Sequence, residues 1–291
     1  MARDPFSGPV TVGYTEGELR VVNVPPQPSQ VKEVIAFFDP SAIPVVILAG
    51  GRGTRLQDVS KGILPKPMIE IGEMPLLEHI IRIYSAQGFR KFFVAAGFLK
   101  EVIVGWVDDN RTRLGQFVDE IDVVDTGEET QTGGRLGKLS DKLVAQDIFM
   151  LTYGDGVADV NLAALLEQHA RLQTETSQGL VTLTAARPPA RFGSLTINSQ
   201  GFVTNFGEKV QAAEGLVNAG FYAVDTKILR LVAGDNSRLE YDILPILATQ
   251  GRLAAFQHPG FFGCIDTWRD LQGLKELWAS GNPPWARWQK N

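Results

Sequence analysis

One cysteine, Cys264, is all the chain contains. No disulfide framework within the chain can therefore brace it, and the lone thiol fits a reducing compartment. Histidine is nearly as scarce. The three present, His79, His169 and His258, are scattered with neither zinc-ligand nor triad spacing. No apolar run approaches the ~20 residues of a membrane span, and the N-terminus lacks a signal-peptide apolar core. No basic run exists either. With 28 Lys and Arg against 33 Asp and Glu, the formal net charge is -5. That balance makes a poor nucleic-acid or anionic-membrane binder. What is present is bulk: 291 residues with 44% hydrophobic content bury a sizeable core. The expectation from composition is a cytoplasmic enzyme or binding domain.

Two grammars run along the chain. Residues 1–43 carry Pro5, Pro9, Pro25, Pro26, Pro28 and Pro40. Between them lie two β-like runs, 10–14 and 19–24, separated by Glu16-Gly17 as a hairpin turn, then a short amphipathic run over 31–38. This segment reads as an arm or appendage, with a flexible leader as the alternative. The second unit, 44–291, opens on Pro44-Val45-Val46-Ile47-Leu48-Ala49, a continuous apolar run that suits a buried parallel strand. Further strands are expected over 91–96, 121–124, 148–153 and 180–185. Helices are expected over 75–87, 100–107 and 161–172, the last capped by Asn161. Alternation of this kind predicts a doubly wound, mostly parallel α/β sheet. Beyond residue 190, shorter strands over 193–197, 202–206 and 216–224 suggest a small antiparallel portion. A helix over 268–278 closes the chain.

The densest chemistry follows the first strand, in Gly50-Gly51-Arg52-Gly53-Thr54-Arg55. Ligands of open α/β sheets bind beyond the carboxyl ends of strands. Glycines let backbone N–H groups approach phosphate, and Arg55 adds a fork-shaped cation. The loop is not a P-loop, because no Gly-Lys-Ser/Thr follows, and it lacks the third glycine of a dinucleotide fingerprint. A structural strand-to-helix turn stays open as an alternative. Shortly after, two prolines flank Lys66 in Pro65-Lys66-Pro67, which limits where its ammonium can go. A held lysine beside phosphates neutralises charge that develops during transfer. Asp155 follows the strand 148–153, and so belongs at the same sheet edge as the glycine loop. Taken alone, it is an ordinary turn residue.

These motifs resemble the sugar-phosphate nucleotidyltransferases. The glycine loop and Pro65-Lys66-Pro67-Met68 carry the signature. Thr132-Gly133-Gly134-Arg135-Leu136, Gly154-Asp155-Gly156, Glu208-Lys209, Asn218-Ala219-Gly220-Phe221 and Asp266-Thr267-Trp268 are similar, in the same order, to stretches of the glucose-1-phosphate cytidylyltransferase branch. The resemblance covers roughly 44–288. It implies a Rossmann-like nucleotidyltransferase whose antiparallel portion binds sugar. The implied substrates are a nucleoside triphosphate, CTP first, and a sugar 1-phosphate, glucose 1-phosphate first. Transfer from dTTP or UTP, and a non-catalytic nucleotide-sugar-binding homologue, are the alternatives.

Roles follow position by position from that resemblance. Arg55 and Lys66 are implied as catalytic. Gly50, Gly51, Gly53, Thr54, Gly134 and Arg135 are implied to hold nucleotide, with Glu208, Lys209, Asn218 and Gly220 on the sugar phosphate. Asp155 and Asp266 are implied as ligands of Mg²⁺, and the chain as a homo-oligomer. Two departures stand out. Leu64 occupies a position where the family carries a lysine, and Lys61 becomes a candidate for the missing cation. The segment 105–125 is also shorter than that branch leads one to expect. Cys264 lacks a neighbouring base and is expected to be a packed thiol. With cations, carboxylates and glycines but no activated nucleophile, the implied reaction is a single in-line displacement.

Overall fold

A computed structural model describes residues 10–15, 18–23, 38–53, 64–173, 178–188, 194–197, 199–200, 202–207 and 215–289. The chain divides into two compact units, 1–38 and 39–291. In the first, Val10–Thr15 pairs antiparallel with Glu18–Asn23, from Val10↔Asn23 to Thr15↔Glu18. The expected turn at Glu16-Gly17 and nearly all of the amphipathic run 31–38 lie outside the described residues.

The second unit is built on a mostly parallel sheet. Its strands are β1 (Pro44–Ala49), β2 (Lys91–Ala96), β3 (Glu120–Asp125), β4 (Ile148–Tyr153), β5 (Val181–Ala186), β6 (Val217–Asn218), β7 (Tyr222–Asp225) and β8 (Leu253–His258). They lie in the order β5–β7–β4–β1–β2–β3, with β6 and β8 both joined to β5. β1 runs parallel to β2 and β4, and β3 runs parallel to β2. β7 is antiparallel to both neighbours, β4 and β5. Every residue of β1 is buried, as its unbroken apolar run requires of a strand covered on both faces. Val46 and Leu48 pack with Leu136, Leu139, Phe149 and Ile243 in one cluster.

Helix α1 (Leu76–Ser85) forms because Leu76, Leu77, Ile80, Ile81 and Tyr84 fall on one buried stripe. α2 is Lys100–Asp109, α3 is Thr132–Lys138 and α4 is Leu162–Gln173. Asn161 caps α4 as expected, its Oδ1 accepting from the Ala164 N–H at 3.0 Å. α5 is Leu244–Thr249 and α6 is Trp268–Ala279. α6 opens with a capping box between Thr267 and Asp270.

Two expectations need correction. The run 216–224 is not one strand, because Gly220 (φ 75°) and Phe221 (φ 51°) break it into β6 and β7. Both pieces join the main sheet, so the separate antiparallel portion is confined to Ser194–Ile197 against Val203–Gly207. β8 was not anticipated at all; it extends the sheet parallel to β5.

The C-terminal segment is anchored by Trp285, which is 1% exposed. Its indole N–H donates to His79 Nδ1 (3.2 Å), and His79 Nε2–H donates to the Ile71 carbonyl (2.9 Å). Burial pushes the His79 pKa down, so it stays the neutral tautomer this chain of bonds needs. Trp285 also stacks on Phe261 at 5.5 Å. His169 meets Thr182 and His258 meets Asp159, so all three histidines have structural partners. Trp285→Ala should cost about 3–5 kcal/mol by leaving a large cavity and an unpaired His79. Urea denaturation reads this directly, and a loss under about 1 kcal/mol would contradict the anchoring role.

Candidate active site

The carboxyl ends of β1 and β4 are adjacent, with Leu48 paired to Tyr153. The loops that leave them must therefore share one edge of the sheet. The Gly154 N–H donates to the Leu48 carbonyl at 2.9 Å and pins the second loop to the first strand. Gly50, Gly51, Gly53, Lys66, Arg135 and Asp155 line a cleft of about 390 Å³ at this edge. Tyr153 and Asp155 also line a second, smaller cleft of about 120 Å³, together with Asn218 and Asp266. The two clefts meet at the end of β4.

Backbone pairing brings the two aspartates together from 111 residues apart in sequence (266 − 155). Gly156–Ala158 pairs antiparallel with Phe262–Cys264, and Gly156 faces Cys264. One step further, the Ile265 N–H donates to the Asp155 carbonyl at 2.8 Å. Asp266 is the next residue, and its own N–H donates to Asp270 Oδ2 at 3.1 Å. Asp266 thus sits just before the capping box of α6 and does not itself form that box.

Lys66 lies between these carboxylates. A single 3-10 turn, Lys66–Met68, is set up by Pro65 in an extended conformation, and Pro67 sits inside it. From there the Lys66 ammonium donates to Asp266 Oδ1 at 3.1 Å and lies 3.4 Å from Asp155 Oδ2. Its side chain is 14% exposed, against 35% for Asp155 and 27% for Asp266. Burial pushes the Asp155 carboxyl above its ordinary value; Lys66 opposes this and Asp266 adds to it. Cys264, beside them, is pushed up to about 12 by burial and by the same carboxylates, so its thiol stays protonated. That agrees with the packed thiol expected from sequence.

The glycines of the loop have separate reasons. A Cβ on Gly50 would lie 2.0 Å from Arg135 Nη1, and Gly53 has a left-handed φ of 57°. Gly51 has no atom within 4 Å of its missing Cβ and faces the open cleft. Arg135 is buried, and its guanidinium is occupied. It donates to the carbonyls of Gly50 (2.9 Å) and Gly127 (2.8 Å) and to Thr126 Oγ1 (2.6 Å). Weaker bonds go to the Ala96 and Glu128 carbonyls at 3.3 Å. Arg135 thus holds the ends of β1, β2 and β3 in register and only presents an edge to the cleft.

Gly134 does not line the cleft: its missing Cβ would lie 2.4 Å from the Asp235 carbonyl, so it serves close packing. Asn218 lines the smaller cleft, and its Oδ1 accepts from the Gly220 N–H at 3.1 Å. Thr54, Arg55, Lys61, Glu208 and Lys209 lie outside the described residues. Sequence reasoning did not single out Thr132, Tyr153 or Glu240. Thr132 and Tyr153 stand in or beside stretches similar to the family with no role attached, and Glu240 carries no signal.

Comparison with known proteins fits this arrangement. The family model for nucleotidyl transferases matches residues 44–282. The chain is 37% identical over 261 residues to the glucose-1-phosphate cytidylyltransferase of Salmonella typhimurium, which covers 84% of this chain and 99% of that protein. It is 33% identical to the probable glucose-1-phosphate cytidylyltransferase of Bacillus subtilis, with the same coverage. Among solved structures, HddC from Yersinia pseudotuberculosis is 25% identical with a TM-score of 0.61, covering 81% of this chain and 99% of that one.

The raised carboxyl of Asp155 makes a prediction about pH. Its folded pKa lies above its unfolded value of about 3.9. Below that value both states hold the proton, and no cost arises. As pH rises through the folded pKa, the unfolded chain has already ionised and the native state loses relative stability. Asp155→Asn should therefore melt higher than the parent at pH 7, without added metal, with the advantage vanishing toward pH 3. A variant that melts lower at pH 7 than at pH 3, relative to the parent, would contradict this.

Proposed function

The chain belongs to the nucleotidyl transferase family, and from that premise we propose that it transfers the nucleoside monophosphate of CTP to glucose 1-phosphate, releasing pyrophosphate. The observation that carries the reading is Lys66 held between Asp155 and Asp266 where the two clefts meet. Family membership and the 37% identity to a glucose-1-phosphate cytidylyltransferase support the choice of substrates.

In this reading the larger cleft takes the triphosphate. The loop at Gly50, Gly51 and Gly53 meets its phosphates, together with Thr54 and Arg55, and Arg135 keeps that loop in place. The smaller cleft takes the sugar 1-phosphate, with Asn218 at its wall and Gly220, Glu208 and Lys209 as further contacts. A phosphate oxygen of the sugar 1-phosphate attacks the α-phosphorus, the bond to the β-phosphate breaks, and the electron pair leaves with pyrophosphate. Cys264, the one thiol beside the carboxylates, is held protonated and does not serve as a covalent nucleophile. Lys66 supplies positive charge to the phosphate oxygens as they crowd together.

Asp155 and Asp266 are hard oxygen donors that already share one cation, the Lys66 ammonium, so they fit a Mg²⁺ ion. Bound there, Mg²⁺ would screen the triphosphate and stabilise the departing pyrophosphate. Lys66 would then turn from the carboxylates to phosphate. Leu64 is exposed and offers no charge, so Lys61 is the proposed substitute for the lysine other family members carry there.

Pyrophosphate release from CTP, dTTP, UTP, ATP and GTP with glucose 1-phosphate tests the proposal. CTP should be the best donor, with turnover abolished by EDTA and restored by Mg²⁺. Lys66→Ala should lower turnover by about 10²-fold or more while the protein stays folded. A faster rate with dTTP or UTP would overturn the base assignment. Absence of turnover with every triphosphate would favour a non-catalytic binder.

A further inference from the structure

Five polar side chains form one continuous hydrogen-bonded path that reaches the walls of both clefts through Thr132, Tyr153 and Asn218, and Glu240 is its one carboxylate. Glu240 lies in a widened helical turn, Leu239–Ile243, in which the Leu244 N–H reaches the Leu239 carbonyl five residues back. Such turns often aim a side chain at a functional site. Tyr153 donates to Glu240 Oε1 at 2.6 Å, and Thr132 Oγ1 donates to Glu240 Oε2 at 2.7 Å. The Tyr153 and Tyr222 hydroxyls are 2.7 Å apart. Asn218 Nδ2 donates to the Tyr222 hydroxyl at 2.5 Å.

The charge of Glu240 sets the direction of every bond in this path. An ionised carboxylate only accepts, so Tyr153 must spend its single proton on it. Tyr222 must then spend its own proton on Tyr153. The Tyr222 oxygen can therefore only accept from Asn218, which fixes Nδ2 as the inward atom of that amide. Asn218 Oδ1 is engaged by the Gly220 N–H. One Nδ2 N–H is left to face the smaller cleft, a donor that suits a sugar or phosphate oxygen.

The other arm runs to the nucleotide side. Thr132 accepts from the Leu239 N–H at 2.9 Å while it donates its single proton to Glu240, so both bonds tie it to the same turn. Thr132 opens α3, and one turn later Arg135 holds the Gly50 carbonyl of the glycine loop. We infer that Glu240 is a positioning residue that couples the two clefts, orienting the Asn218 amide through Tyr153 and Tyr222 and seating the nucleotide-side helix through Thr132. The inference rests on the transferase reading for its substrates and on geometry alone for the hydrogen-bond path.

The test compares Tyr222→Phe and Glu240→Gln with the parent, first by steady-state kinetics. Tyr222→Phe cuts only the sugar-side arm. It should raise KM for glucose 1-phosphate about tenfold, the worth of one lost polar bond near 1.4 kcal/mol, with KM for CTP within about twofold. Glu240→Gln disturbs both arms and should raise both KM values. The second readout needs no turnover. In protein labelled with ¹⁵N-asparagine, the Asn218 side-chain amide signal, identified by its loss in Asn218→Ser, should shift in both variants. Lower melting temperatures with both KM values and the Asn218 signal unchanged would reduce Glu240 to a structural residue and overturn the inference. If the parent turns over no sugar 1-phosphate, the transferase reading fails, and the Asn218 signal alone decides: a shift supports the path and an unmoved signal refutes it.

Discussion

The site depends on one electrostatic arrangement, a lysine ammonium shared by two aspartates at the seam between two clefts. Two carboxylates this close repel each other, and burial penalises their charge further. Lys66 offsets part of both costs, and the 3-10 turn that follows Pro65 places it at the seam. In the proposed reaction the same seam would take a different cation, the divalent metal. A charge pair that is partly open to water is cheap to exchange, whereas a sealed ion pair is not.

Around that seam, the fold spends its polar groups on holding loops. Arg135 is the strongest case, with its guanidinium committed to main-chain carbonyls and a threonine hydroxyl at the ends of three strands. Burial draws its pKa down while Asp125 opposes this, and it remains a cation among neutral acceptors. The Ile265–Asp155 backbone bond does the equivalent work for the carboxylates, since it is pairing register that brings Asp266 alongside. Binding groups held by rigid strands and short turns lose little freedom when substrate arrives, which is where much of the catalytic advantage of such sites lies.

Legibility in the sequence tracks how local each feature is. β1, β2 and β4 were readable because each is an unbroken apolar run ending at glycine, the mark of a strand buried on both faces. β8 was not, since Leu-Ala-Ala-Phe-Gln-His is half-buried and carries no such signal. The break at Gly220 and Phe221 was hidden because a positive φ leaves no trace in an apolar pattern. Lys66 was marked by its flanking prolines. Asp155 and Asp266 gained weight only through the family resemblance, for nothing local says that Cys264 pairs with Gly156. The Glu240 path was beyond reach, because its five members sit on five elements joined only by the tertiary fold.

In the proposed reaction, Lys66 and a divalent metal ion take turns between Asp155 and Asp266. The most direct measurement is a crystal structure with Mn²⁺ and CTP, in which the metal is located by anomalous scattering. Manganese should be bound by both Asp155 and Asp266, with the Lys66 ammonium moved from the carboxylates onto the triphosphate. Manganese bound elsewhere, with Lys66 still bridging the two aspartates, would contradict it.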